Sequence, residues 1–211
     1  MDKKKQVSII LSHLEPIYPD AKTELKYDTP FQLLVATILS AQCTDVRVNI
    51  VTNDLFRKYK TPKDFAGISQ AALEKEIHST GFYHNKAKNI IAASKIIAEK
   101  YSSRLPDTME ELITLSGVAR KTANVVLSVA FNKTEGIAVD THVVRLSKRL
   151  GLSENKDPNK IEKDLMALTE KENWKNISNL LILHGRRICA AKKPKCDICV
   201  LNKLCPGAFR I

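Results

Sequence analysis

The chain has 211 residues, with 34 Lys plus Arg against 23 Asp plus Glu and a formal net charge of +11. At 44% hydrophobic and 27% charged it reads as a soluble globular protein of one large domain or two small ones, which excludes a disordered tail-like chain. Seven glycines are too few for a turn-rich all-β fold, and no apolar run approaches the ~18 residues of a membrane span.

In chain order, the start Met1-Asp2-Lys3-Lys4-Lys5 lacks the small-residue cleavage pattern of a secretion signal. Val7, Ile10, Leu11 and Leu14 then follow a helical period that stops at Pro16. Thr29-Pro30 reads as N-cap plus N1 proline of a helix carrying Phe31, Leu34, Val35, Ile38 and Leu39, apolar on its other face too and therefore central. Another helix follows Thr44, a short one opens at Thr61-Pro62, and Ser69 caps one ending near Gly81. Ala87, Ile90, Ile91, Ser94 and Ala98 mark a long helix through Tyr101. Thr108 through Glu111 reads as a capping box, Arg120–Phe131 as a helix, and Asp140-Thr141 and Asp157-Pro158 as two more starts with Gly151 as a stop between them. Ile177–Ile188 is the last clear helix. No segment has a period of two, so the predicted fold is all-α, with roughly ten short helices.

Three features carry chemistry. Leu112 through Ala123 predicts two short helices joined at Gly117, so that the backbone of Gly117, Val118, Ala119 and Arg120 presents N–H groups at a helix start. The plain alternative is a helix–turn–helix corner in which Gly117 only caps a helix. Against it stand Arg120 and Lys121, because cations are disfavoured at a helix N-terminus and call for a compensating anion. For a chain at +11 a nucleic-acid phosphate is the natural one. Asp140, read alone, is the N-cap of the helix Thr141–Leu150.

The third feature is the cysteines. Without a secretion signal, five of them argue against a disulfide framework. Cys43 stands apart, while Cys189, Cys196, Cys199 and Cys205 follow the spacing C-x6-C-x2-C-x5-C. On spacing alone that is a metal site, with structural zinc the simplest occupant. Lys192, Lys193 and Lys195 lie within the cluster and suit phosphate contacts or, more plainly, a solvated surface. His142 and His184 have no ligand spacing and read as packed or hydrogen-bonded histidines.

Ser116 through Val126, followed by Ile137-Ala138-Val139-Asp140-Thr141-His142, resembles the helix–hairpin–helix and catalytic aspartate of the endonuclease III family of DNA glycosylases. The likeness runs from Leu33 through Cys205. It implies two helical lobes: a six-helix barrel over 22–132, with the hairpin at about 108–131, and a cluster lobe of 1–21 plus 133–211, with DNA bound across the cleft. By the same resemblance Lys121 is the nucleophile that forms a Schiff base with the sugar, and Asp140 is its partner. The four cysteines then hold one 4Fe–4S cluster rather than zinc. Gln42 resembles the residue that fills the gap left by a flipped nucleotide, and Phe82 stands in a second wedge loop where the family usually has an aliphatic side chain. Asp45 lines the lesion pocket or is simply a charge at a helix start. The family usually has proline where Ser116 stands and glycine where Ala119 stands; a Cβ at Ala119 matters if that backbone needs a positive φ.

The implied activity is a bifunctional DNA glycosylase and abasic-site lyase of base excision repair. Its partner is double-stranded DNA carrying oxidised pyrimidines or abasic sites, acted on by a monomer in the cytoplasm at the nucleoid, with no membrane involved. Adenine glycosylases of the superfamily carry a further C-terminal domain, whereas this chain ends six residues after Cys205. They also lack the lysine, as thymine enzymes usually do, so Lys121 argues against both. A DNA-binding or redox-sensing protein without catalysis is the rival of another class, and the pairing of Lys121 with Asp140 argues against it.

Overall fold

A computed structural model describes residues 2–210; Met1 and Ile211, the ends of the expected terminal segments, lie outside the described residues. Those residues form helices and turns without a strand, and none of the helices is long and apolar enough to cross a membrane. They divide into two units, Glu24–Lys133 and Met1–Thr23 with Thr134–Ile211.

The Glu24–Lys133 unit is built around α2 (Pro30–Leu39), which buries every residue from Phe31 to Leu39. That follows from a helix apolar all round. Around it stand α3 (Asp45–Lys58), α4 (Pro62–Gly67), α5 (Gln70–Ile77), α6 (Tyr83–Lys100), α7 (Met109–Leu112) and α8 (Arg120–Ala130). Among the described residues this unit holds seven α-helices and a 3-10 turn over His78–Thr80, and the hairpin's first helix is a single turn. Phe65 of α4 is fully buried edge-on to Phe31, with ring centroids 5.5 Å apart; burying such a side chain contributes about 1.5–3 kcal/mol.

Local chemistry sets the helix starts. The hydroxyls of Thr29, Thr44 and Ser69 accept the backbone N–H three residues on, each cap contributing about 1 kcal/mol. Thr61 does the same while the carboxylate of Asp64 accepts the Thr61 backbone N–H at 2.8 Å, a reciprocal box. The box expected at Thr108 is half-formed. Its hydroxyl accepts from Glu111 N at 3.4 Å, but the Glu111 carboxylate takes the hydroxyl proton at 2.9 Å instead of reaching the backbone.

In the other unit, α1 (Lys3–Leu14) buries Val7, Ile10, Leu11 and Leu14, and α9 (Thr141–Arg149), α10 (Pro158–Leu168) and α11 (Trp174–Arg187) complete the core. Gly151, at φ +70°, ends the turn after α9, a conformation glycine adopts without strain. The helix expected from Ile177 begins earlier, at Trp174, because a 3-10 turn over Lys171–Asn173 feeds directly into it.

Candidate DNA-facing loops and cysteine site

The hairpin turn is shaped by one glycine. Gly117 has φ +76°, and a Cβ built on it would lie 2.9 Å from Cβ of Asn89 on α6. Ala119 is different: at φ −84° and ψ 167° it is ordinary extended backbone. The methyl group that replaces the family's second glycine therefore strains nothing in the main chain. Val118 is buried and anchors the turn, while Gly117, Ala119 and Arg120 are exposed. Ala119 stands at the N-cap of α8 without a side-chain acceptor, and Lys121, half-buried, is the second residue of that helix.

Two other loops of the same unit carry exposed residues in left-handed backbone. Gln42 (φ 53°) lies between α2 and α3, and Phe82 (φ 49°), 63% exposed, stands immediately before α6. A non-glycine residue in that region is held there by its surroundings. Phe82 is therefore not a core aromatic. Asp45 opens α3, where the helix dipole favours a carboxylate.

In the other unit, Asp140 is the N-cap of α9: its Oδ1 accepts from His142 N at 2.8 Å and Val143 N at 2.9 Å. Lys121 and Asp140 belong to different units. Burial holds the His142 imidazole below its usual pKa, opposed by the Asp140 charge, and Arg145 meets its Nδ1 at 3.0 Å. Gly185 of α11 packs against this group; a Cβ there would lie 3.0 Å from both Cβ and Nδ1 of His142.

Cys189, Cys196, Cys199 and Cys205 line one cavity, together with Arg149, Pro194, Lys195 and Asn202. No three His, Cys, Asp or Glu side chains among the described residues close to the spacing of a single ion's shell. The thiols affect one another: burial, then the other cysteines' charges, push Cys199 and Cys205 above the usual thiol range. Two polar groups aim at sulfur. Nη1 of Arg149 donates to Sγ of Cys189 at 3.1 Å, and Nε2 of buried His184 lies 3.2 Å from Sγ of Cys199. Burial lowers His184 to about 4, so its ring is neutral, with Nδ1 3.2 Å from the Tyr18 hydroxyl. The loop from Lys192 to Lys195 forms one wall, with Pro194 turned inward and all three lysines exposed.

Arg145, Arg149 and Gly185 escaped the sequence reading. The two arginines are four apart on one face of α9 and hold carbonyls of the cysteine loop: Arg145 reaches Cys189 O at 3.1 Å, and Arg149 reaches Ala190 O at 2.7 Å and Ala191 O at 3.0 Å. Their i, i+4 spacing on a helix preceding a cysteine cluster was the available signal.

Residues 35–171 match the HhH-GPD superfamily of base excision DNA repair proteins. The chain is 54% identical to endonuclease III of Synechocystis sp. (strain PCC 6803) over 98% of its length and 94% of that protein's. It is 48% identical to endonuclease III of Bacillus subtilis (strain 168), covering 95% and 92%. Among solved structures it is similar to the non-covalent endonuclease III–DNA complex, with TM-score 0.95, 44% identity and coverage of 100% and 98%. A thermostable thymine-DNA glycosylase shares the fold, with TM-score 0.84, 23% identity and 98% of each chain covered.

Proposed function

The chain belongs to the endonuclease III family within the HhH-GPD superfamily of base excision DNA repair proteins, and from that premise we propose that it removes oxidised pyrimidines from duplex DNA and cleaves 3′ to the resulting abasic site. It is a DNA glycosylase with abasic-site lyase activity. The observation that carries the detailed reading is the position of Lys121, the second residue of α8, directly beyond a turn in which Gly117, Ala119 and Arg120 are exposed.

In this reading the Gly117–Arg120 turn and the start of α8 hold a DNA phosphate by backbone N–H groups and helix dipole. The Lys121 amine attacks C1′ of the damaged nucleotide, the C1′–N bond breaks, and the base leaves with a proton. The nitrogen loses a proton, its lone pair forms the C1′=N double bond as the C1′–O4′ bond breaks, and O4′ takes up a proton, which gives the Schiff base. Removal of a C2′ proton then breaks the bond from C3′ to the phosphate oxygen, and water releases the lysine. Asp140 serves as the carboxylate that exchanges these protons and stabilises positive charge developing on the sugar. Its Oδ1 caps α9 at the same time, which fixes the carboxylate's orientation. A structure of a trapped endonuclease III–DNA covalent intermediate, matched at TM-score 0.95 and 44% identity, supports this chemistry for the family.

Gln42 and Phe82 act as wedges in the opened duplex, and Asp45 contributes to the lesion pocket. Lys192, Lys193 and Lys195 add phosphate contacts. The cysteine cavity fits a 4Fe–4S cluster: four thiols share one space, and sulfurs accept from Arg149 and face His184. In such a cluster each cysteine takes its own iron, so the four need not converge on one ion. When bound, the cluster supplies a covalent staple for the basic loop; Arg145 and Arg149 hold that loop's carbonyls independently. The enzyme acts as a monomer in the compartment that holds the DNA.

The test is incision of a panel of duplexes, each with one oxidised pyrimidine, an abasic site or a mismatch, by wild type and Lys121→Gln. Cleavage of the first two classes by wild type only is expected. Binding without cleavage would favour the non-catalytic DNA-binding alternative.

A further inference from the structure

The reaction leaves one buried lysine unused. Lys86, in the first turn of α6, is only 4% exposed. Its ammonium donates to the carbonyls of Leu39 and Thr80, each at 2.8 Å. Burying an ammonium is unfavourable unless its donors are satisfied, so this lysine is committed to those two oxygens. Leu39 is the last residue of α2, three positions before Gln42, and Thr80 closes the 3-10 turn two positions before Phe82. One cation thus ties the roots of the two loops whose tips, Gln42 and Phe82, are held in left-handed backbone. Three residues further along α6, Asn89 lies against the hairpin's Gly117.

We propose that Lys86 is a positioning residue that locks the Gln42 and Phe82 loops together, so that both side chains enter the duplex as one wedge. This rests on the wedge role given above to Gln42 and Phe82. The ordinary alternative is that Lys86 only stabilises the fold by capping the end of α2. The two differ in what is lost: a wedge residue affects duplex opening, whereas a fold residue affects every activity alike.

The experiment compares Lys86→Met with wild type on two substrates, a duplex carrying an oxidised pyrimidine and a single-stranded abasic oligonucleotide that needs no opening. Duplex excision should fall about tenfold or more, since flipping a base out of the stack has a cost that the wedge offsets. Incision of the single strand should fall by less than about threefold. A 2-aminopurine opposite the lesion, read in a Lys121→Gln background, should lose its brightening on binding. In a Gln42→Ala, Phe82→Ala background the further effect of Lys86→Met should be below about twofold, the non-additivity of residues acting as a unit. Thermal melting checks folding; if the Met variant lacks a transition, Lys86→Gln, which keeps a donor, replaces it. Equal losses on both substrates, or a fully multiplicative effect in the double-variant background, would overturn the proposal alone. If Gln42→Ala with Phe82→Ala leaves duplex excision and the fluorescence unchanged, the wedge reading fails, and the positioning proposal with it.

Discussion

The Oδ1 of Asp140 accepts the backbone N–H of His142 at 2.8 Å, so the carboxylate proposed to act in catalysis is also the N-cap of α9. The two roles are separable by substitution. Asp140→Asn retains an oxygen acceptor and should melt within about 1 kcal/mol of wild type, whereas Asp140→Ala should cost about 0.5–2 kcal/mol of stability. Both should release base slowly, because both lose the charge and the proton exchange. Equal base release by Asn and wild type would leave Asp140 a cap only.

The hairpin predicts an asymmetry between its two small residues. Gly117→Ala must place a Cβ against Asn89 at φ +76°; the left-handed backbone alone costs about 1–2 kcal/mol, and DNA affinity should drop with it. Ala119→Gly should leave affinity nearly unchanged, since φ −84° needs no glycine. Calorimetric melting and abasic-duplex binding read both. A strong gain from Ala119→Gly would mean that its Cβ obstructs the phosphate.

Electrostatics should dominate binding. With a net charge of +11, affinity for abasic duplex should fall linearly with salt on log–log axes, at about −0.9 per phosphate contact, and Lys193→Ala should flatten the slope by roughly one unit. Salt-independent affinity would contradict the basic loop as a DNA contact.

The cysteine cavity should yield a yellow-brown protein with broad visible absorbance and about four iron per chain. Cys199→Ser should bleach it and lower the melting temperature, because Cys199 also packs against the core of its unit. One zinc and no iron would decide against the cluster.

The parts of this structure that follow from neighbouring residues were legible before any coordinates. Thr29, Thr44, Ser69, Asp140 and Asp157 cap helices because an oxygen beside a helix start needs only local geometry, and Gly117 and Gly151 take the positive φ that their turns require. The cysteine spacing reads as a metal site, and the four cysteines line one cavity. What escaped depends on distant chain. Lys86 reads as a solvated lysine until α2 and the 3-10 turn supply its carbonyls, one of them 47 residues away. Arg149 reads as a helix-end cation until Ala190, 41 residues on, becomes its acceptor. Family likeness singled out Gln42 and Phe82, but nothing in the sequence announced their left-handed backbone, because nothing local demands it of a glutamine or a phenylalanine. Gly185 gave no turn signal because it lies inside α11, where the packing of His142 and Arg145 explains it.

Borohydride trapping tests covalent chemistry at Lys121 most directly. Incubating the protein with abasic or oxidised-pyrimidine duplex in the presence of borohydride should reduce the Schiff base to a stable protein–DNA adduct, and peptide mapping should place it on Lys121. Lys121→Gln, which keeps length and polarity but removes the amine, should give no adduct while still binding abasic duplex through the hairpin backbone. Tight binding by wild type with neither adduct nor strand cleavage, or an adduct mapped to another lysine, would contradict the account.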